Sequence, residues 1–279
     1  MKTRRQGYAL VACVAALAAF AYLAFDLTAG DRGDSIAAIA ITERARMQAA
    51  ADAGLVLALQ GLTIEDRTRR WAIDGKRYVR TFNGATLTIS VEDEWAKISL
   101  GSLFGPAARR LFEAAGVTGA RLDVLADSLA DWIDSDDYVE SSGAESAYYA
   151  PEGIRPRNSG IISLDELVRI RGMDAELLER VRPALTVSTR LGAIFVRENA
   201  SPLALATRTG IGPSSAQQRA QAGQRPALSI AENENLAGRP LSIVITVRLP
   251  SGASISRVTV VELTGKPSPA YQVRSSDWR

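Results

Sequence analysis

The pattern of apolar and polar positions changes its period several times along the chain. From Tyr8 to Phe25 it has no period: "YALVACVAALAAFAYLAF" is 18 residues without a charge, the lower bound for a helix that crosses a bilayer. The run continues into "SIAAIAITERARMQAAADAGLVLALQGL", alanine-rich and helical in period, closed by Leu55, Leu57, Leu59 and Leu62. Lys2, Arg4 and Arg5 precede it. By the positive-inside rule this basic flank stays cytoplasmic and everything after Asp26 lies outside the inner membrane. Two readings stand here. One is a plain signal anchor. The other is a leader, residues 1–7, followed by one long helix over 8–62, with Gly30 and Gly33 as a flexible point.

Past residue 62 the period drops to two. "RYVRTFNGATLTISVED" holds two β-rich runs around Asn83-Gly84, the strongest short-range signal for a hairpin with a type I′ turn. Alternation returns in "LSIVITVRLPSGASISRVTVVEL", with a turn at Pro250–Gly252, and in "AYQVRSSDW". Two isolated β ribbons would be too small to be stable singly. The expectation is therefore one antiparallel sheet, residues 63–102 and 236–279, interrupted by a helical insertion over 103–235. The fold class is α+β.

Inside the insertion, "ISLDELVRIRGMDAELLERVRPALTV" predicts two helices joined at Gly172. Ser163 and Glu166 have the spacing of a capping box. Leu164, Leu167, Val168 and Ile170 are assigned to one face, answered by Leu177, Leu178 and Val181. A second unit, "NASPLALATRTGIGPSSAQQRAQAGQR", carries "GIGP" at Gly210–Pro213, which looks like the turn of a helix-hairpin-helix motif. Such turns offer backbone N–H groups to phosphate, and Arg208, Arg219 and Arg225 are nearby. The units are thus helix-hairpin-helix or SAM-like packing modules, or a DNA-binding surface.

Composition removes several chemistries. The 279 residues contain no histidine and one cysteine, Cys13. That excludes Ser-His and Cys-His nucleophile pairs, His-ligated metals and a disulfide framework. A net charge of +2 gives no polyanion-binding signature, so no nucleic-acid partner is expected. The chain is not expected to be an enzyme.

One stretch departs from that near-neutral balance. From Asp131 to Glu152 there are seven acidic residues and no Lys or Arg. A bound cation, a solvated loop after a helix ending at Trp132, and a pair of catalytic carboxylates all account for it. The third is the weakest, because two acids alone say little and a glycosidase would line its cleft with aromatics, which are 6% here.

Together these segments resemble the minor pseudopilin K family of type II secretion systems. The resemblance is carried by "RRQG" before an apolar helix, "AAADAGLVLAL", "DEWAKISL", "LADSLADWIDSDDYVESSGAESAYYA", "IRPRNSGIISLDELVRIRGM" and "ASPLALATRTGIG". It extends to an absence: ordinary pilins place glutamate at the fifth residue after cleavage, where this chain has Ala12, and subunit K characteristically lacks that glutamate. Trp95 and Ser99 depart from the family pattern.

The resemblance implies cleavage by prepilin peptidase between Gly7 and Tyr8 and methylation of the new N-terminus at Tyr8. It implies a single-pass inner-membrane helix over Tyr8–Phe25 with the C-terminal domain in the periplasm. It also implies a pilin-like fold, and assembly with minor pseudopilins I and J and the major pseudopilin into a fibre tip that helps export folded proteins. Members of the family bind calcium in the inserted domain. Here Asp134, Asp136 and Asp137, with Glu145 returning across Gly143, offer the oxygen-rich arc that calcium prefers. A type IV minor pilin and a membrane-tethered helix-hairpin-helix DNA-binding protein remain as alternatives.

Overall fold

The structure, a computed structural model, describes residues 6–66, 68–189, 194–210 and 236–278, and the side chains of these except 6–13, 15 and 23–36. The first element, α1 (Gln6–Leu62), is 57 residues long and so roughly 85 Å from end to end. It continues through Gly30 and Gly33 as helix.

The C-terminal third of α1 packs on a sheet through small residues. Ala50, Ala51 and Ala58 are buried together with Leu62, while Leu55, Leu57 and Leu59 are only partly covered. Positions 50, 54, 58 and 62 recur every four residues, one face of the helix. A Cβ at Gly54 would lie 2.9 Å from Ile245, and one at Gly61 would lie 2.4 Å from the Trp71 indole. Glycine at 54 sets the helix–sheet distance, and glycine at 61 lets the Trp71 indole close on the helix. At its end the helix is pinned by Trp71, whose N–H donates to the Gly61 carbonyl at 3.0 Å and whose ring stacks on Tyr78 at 4.1 Å.

Among the described residues the strands that follow are β1 (Asp74–Phe82), β2 (Ala85–Asp93), β3 (Ile98–Ser99), β4 (Leu185–Thr186), β5 (Pro240–Arg248), β6 (Ser254–Leu263) and β7 (Tyr271–Trp278). Five of them form one antiparallel sheet in the order β1-β2-β5-β6-β7. Asn83 and Gly84, at φ 47° and 79°, make the two-residue turn of the β1–β2 hairpin, as a type I′ turn requires. Leu87, Ile89 and Val91 alternate inward on β2, and Leu241, Ile243, Ile245 and Val247 on β5; this period-2 stripe meets α1. Because β2 pairs with β5 from Thr86↔Arg248 to Asp93↔Leu241, the whole insertion leaves and re-enters between two neighbouring strands.

The insertion carries α2 (Pro106–Ala114), α3 (Ala120–Ile133), α4 (Ser146–Tyr149), α5 (Ala175–Val181) and α6 (Pro202–Thr209), with short 3₁₀ turns between them. It has its own core, in which Phe112, Leu125, Leu129, Trp132, Tyr149 and Leu177 are buried. Three expectations are corrected here. The insertion is not wholly helical, since β3 and β4 pair in parallel through Ile98↔Leu185 and Ser99↔Thr186. Residues Leu164–Arg169 form a 3₁₀ rather than an α-helix. Its three-residue turn puts 164, 167 and 170 on one side, so Leu167 and Ile170 are buried while Val168 is exposed. The capping box is also incomplete. Ser163 Oγ accepts from Asp165 N, but the Glu166 carboxylate accepts from the Trp132 indole N–H at 2.9 Å and from Ile162 N instead of turning back to Ser163 N.

Two consecutive acids rivet the two parts together. Asp93 accepts from Trp95 N at 3.0 Å, Arg239 Nε at 2.9 Å, Arg239 Nη2 and Asn199 Nδ2. Glu94 accepts from Lys97 Nζ at 2.7 Å, Ser242 Oγ at 2.6 Å and Thr186 Oγ1. Both carboxylates are buried, and hydrogen bonds and cations offset their desolvation.

Candidate functional site

The acidic stretch begins on α3, whose buried face runs through Leu122, Leu125, Leu129 and Trp132. Asp131 lies on that same face and is fully buried. Its carboxylate accepts from Glu140 N at 3.1 Å, which folds the loop back over the end of the helix. Gly143 makes this possible. A Cβ there would lie 2.0 Å from Asp131 Oδ2, so no other residue lets the loop pass so close. The Gly143 carbonyl is held by Arg171 Nη1 at 2.8 Å, and Ser142 N donates to Asp127 Oδ2 at 3.0 Å.

Asp134 closes α3, its N–H donating to Ala130 O at 3.0 Å. Asp136 and Asp137 are exposed. Asp136 Oδ1 accepts from Tyr138 N at 3.0 Å, and Asn158 Nδ2 donates to both the Asp136 carbonyl and Asp137 Oδ1. Glu145 is buried at the start of α4 and caps it through Ser146 N at 3.3 Å. Beneath the loop Trp132 meets Tyr149 edge to face at 5.2 Å, and the Tyr149 hydroxyl accepts from Arg171 N at 3.0 Å.

Two carboxylate oxygens in this cluster are unsatisfied. Asp134 Oδ1 and Glu145 Oε1 are both buried with no hydrogen-bond partner. Burial holds Glu145 above the ordinary carboxylate pKa, and the nearby charges of Asp131, Asp134 and Asp137 add to it. Burial likewise raises Asp134, with Asp136 and Glu140 contributing, and raises Asp131 against the hydrogen bonds from the loop. Orphaned hard oxygens among mutually repelling acids suit a hard cation such as calcium. The carboxylates do not form a closed cage by themselves. Among the described residues no group of three or more His, Cys, Asp or Glu is arranged to hold a metal ion. Carbonyls and water supply many of the ligands in calcium sites generally.

Of the four acids singled out from sequence, Asp134 and Glu145 each bury one unpartnered oxygen, while Asp136 and Asp137 are exposed. Asp131 was missed as a member. The signal for it was an acid on the same buried face as Trp132. Gly7, Tyr8 and Phe25 lie on α1, where their side chains fall outside the described residues, as do Ile211–Pro213 of the hairpin-like turn, Arg219 and Arg225. Among the described residues no helix is long and apolar enough to cross a membrane.

Comparison with known proteins finds similarity over the stretch that carries the site. Residues 93–190 match the family model described as Type II secretion system (T2SS), protein K. Type II secretion system protein K of Aeromonas hydrophila is 44% identical over 64 residues, 21% of this chain and 19% of the relative. The protein of the same name from Pectobacterium carotovorum subsp. carotovorum is 32% identical over 77 residues, 27% of this chain and 24% of the relative. These matches therefore span about a quarter or less of the curated relatives' length. The fold is similar to a chain in the crystal structure of the GspK-GspI-GspJ complex from the enterotoxigenic Escherichia coli type 2 secretion system. The TM-score is 0.56 at 15% identity, covering 85% of this chain and 97% of that one. Residues 93–190, acidic loop included, are thus similar to the family described as Type II secretion system (T2SS), protein K.

Proposed function

We propose that the chain is a minor pseudopilin that sits at the tip of the type II secretion pseudopilus, joins the I and J minor pseudopilins there, starts fibre assembly and so aids export of folded proteins. The observation that carries this reading is architectural. A long helix lies on an antiparallel sheet, and a protein K domain is inserted between two adjacent strands of that sheet. A helix of roughly 85 Å reaches far beyond the sheet and provides a shaft for packing into a fibre. Val14, Leu17, Phe20 and Tyr22 are exposed on its N-terminal part, which supports an inner-membrane anchor over Tyr8–Phe25. Cleavage between Gly7 and Tyr8 and methylation of the new N-terminus at Tyr8 belong to the same reading. The insertion widens the head, so a further subunit stacked above it would clash; that favours a terminal place. The family name and the partners of the similar complex support this assignment over a type IV minor pilin or a DNA-binding protein.

Calcium belongs to the proposal. Asp134 and Glu145 would hold it, with Asp136 and Asp137 at the rim, and bound calcium would neutralise the cluster and tie α3, the loop and α4 together. No catalytic step is assigned to the chain.

Deleting the chain from its host tests the reading. Folded substrates of the secretion system are expected to accumulate in the periplasm, and the unsubstituted chain is expected to restore export. Unimpaired export in the deletion strain contradicts it.

A further inference from the structure

The outer face of the sheet, opposite α1, meets the insertion across an open cleft. Val244, Val258 and Val260 form its floor, Asp277 of β7 stands at one lip, and Leu185 and Val187 overhang the other. Two cations are sunk in its wall, Lys97 and Arg182, each with a side chain 12% exposed. Both are already shared. Lys97 Nζ lies 2.8 Å from Glu92 and 2.7 Å from Glu94, and Arg182 lies 2.7 Å from Asp165 and 2.8 Å from Glu179. The carboxylates nearer solvent, Glu92, Glu179 and the exposed Asp277, therefore leave the mouth negative over an apolar floor. A long basic side chain complements both features, with its methylenes over the valines and its charged head at the lip.

We propose that this cleft receives a lysine or arginine side chain from a neighbouring subunit of the fibre tip, one of the I and J minor pseudopilins; the inference rests on the pseudopilin reading above. The cleft borders both the sheet and the β4 segment of the insertion, so the incoming side chain bridges the two domains and senses their relative placement.

The test uses the full chain in detergent, titrated with the I–J pair of the same host. Asp277→Lys places a cation at the lip on an exposed position. Val244→Lys fills the cleft from its own floor. Val79→Lys, 58% exposed on the other edge strand, is the control. Both cleft variants are expected to bind about tenfold more weakly than the unsubstituted chain, because like charges now face each other, and the control is expected to bind equally well. The unsubstituted affinity should fall with added salt, and that of Asp277→Lys should not. Equal binding by an Asp277→Lys chain of unchanged melting temperature overturns the cleft assignment while leaving the pseudopilin reading intact. No binding by the unsubstituted chain contradicts the pseudopilin reading and the cleft with it.

Discussion

Gly143 and Asp131 show how closely the acidic loop is built. With 2.0 Å between a hypothetical Cβ at 143 and Asp131 Oδ2, Gly143→Ala must displace either the loop or the carboxylate. Overpacking of this kind costs about 1–3 kcal/mol. A denaturant titration of the variant should show that loss, and unchanged stability contradicts the described path of the loop. Asp134 and Glu145 make a second prediction. Their folded-state pKa values are raised, by burial first and by neighbouring carboxylates second. A raised folded value for an acid means its stabilising contribution is present at low pH and lost as pH rises through that value. In chelator, wild type should therefore lose stability towards neutral pH, whereas Asp134→Asn with Glu145→Gln should lose less and be the more stable of the two at pH 7. With calcium at about 100 times its Kd the order should reverse, since binding adds about 2.7 kcal/mol to wild type alone. Melting curves at pH 4 and pH 7, with and without calcium, check this. A double variant that tracks wild type throughout contradicts the metal assignment. The concentration of acids was legible in the sequence. The part played by Asp131 was not, because its place beside Trp132 on the buried face of α3 does not by itself show that the loop returns over its carboxylate.

At the scale of elements, local chemistry proved readable wherever one residue pair decides the geometry. Asn83-Gly84 forces a two-residue turn, and the strands on either side follow from their alternation. The same reading failed at Leu164–Arg169, where three apolar residues fit either helical period and Glu166 is held by the Trp132 indole. The α1–sheet contact was missed for a different reason. The leucines of "GLVLALQGL" contribute through Leu62 and the partly covered Leu55, Leu57 and Leu59, but the close approach is made at Ala50, Gly54 and Ala58, whose small size signals it only once the facing Ile245 is known. The junction of the domains was equally hidden, since Asp93, Arg239 and Asn199 are distant in sequence. Asp93→Ala should leave the Arg239 guanidinium without its buried carboxylate. Losing one partner of a buried pair costs about 3–5 kcal/mol. Thermal melting should show a large destabilisation, and a shift of less than a degree contradicts the rivet.

The molecule as a whole has two cores, one between α1 and the sheet and one within the insertion, joined at the point where β2 hands the chain over and β5 takes it back. The interruption of the sheet was legible because strand patterns stand on both sides of a helical block and neither set suffices alone. How the insertion sits on the sheet was not, because that rests on Glu94 reaching Thr186 and Ser242. On the proposed reading this head, carried on α1, takes a terminal place beside two other minor pseudopilins. The most direct measurement is the native mass of the complex purified when the full chain is co-expressed with the I and J pseudopilins of its host. One copy of each of the three chains in a single discrete particle is the predicted result. A chain that purifies alone, or that forms extended polymers of itself, contradicts it.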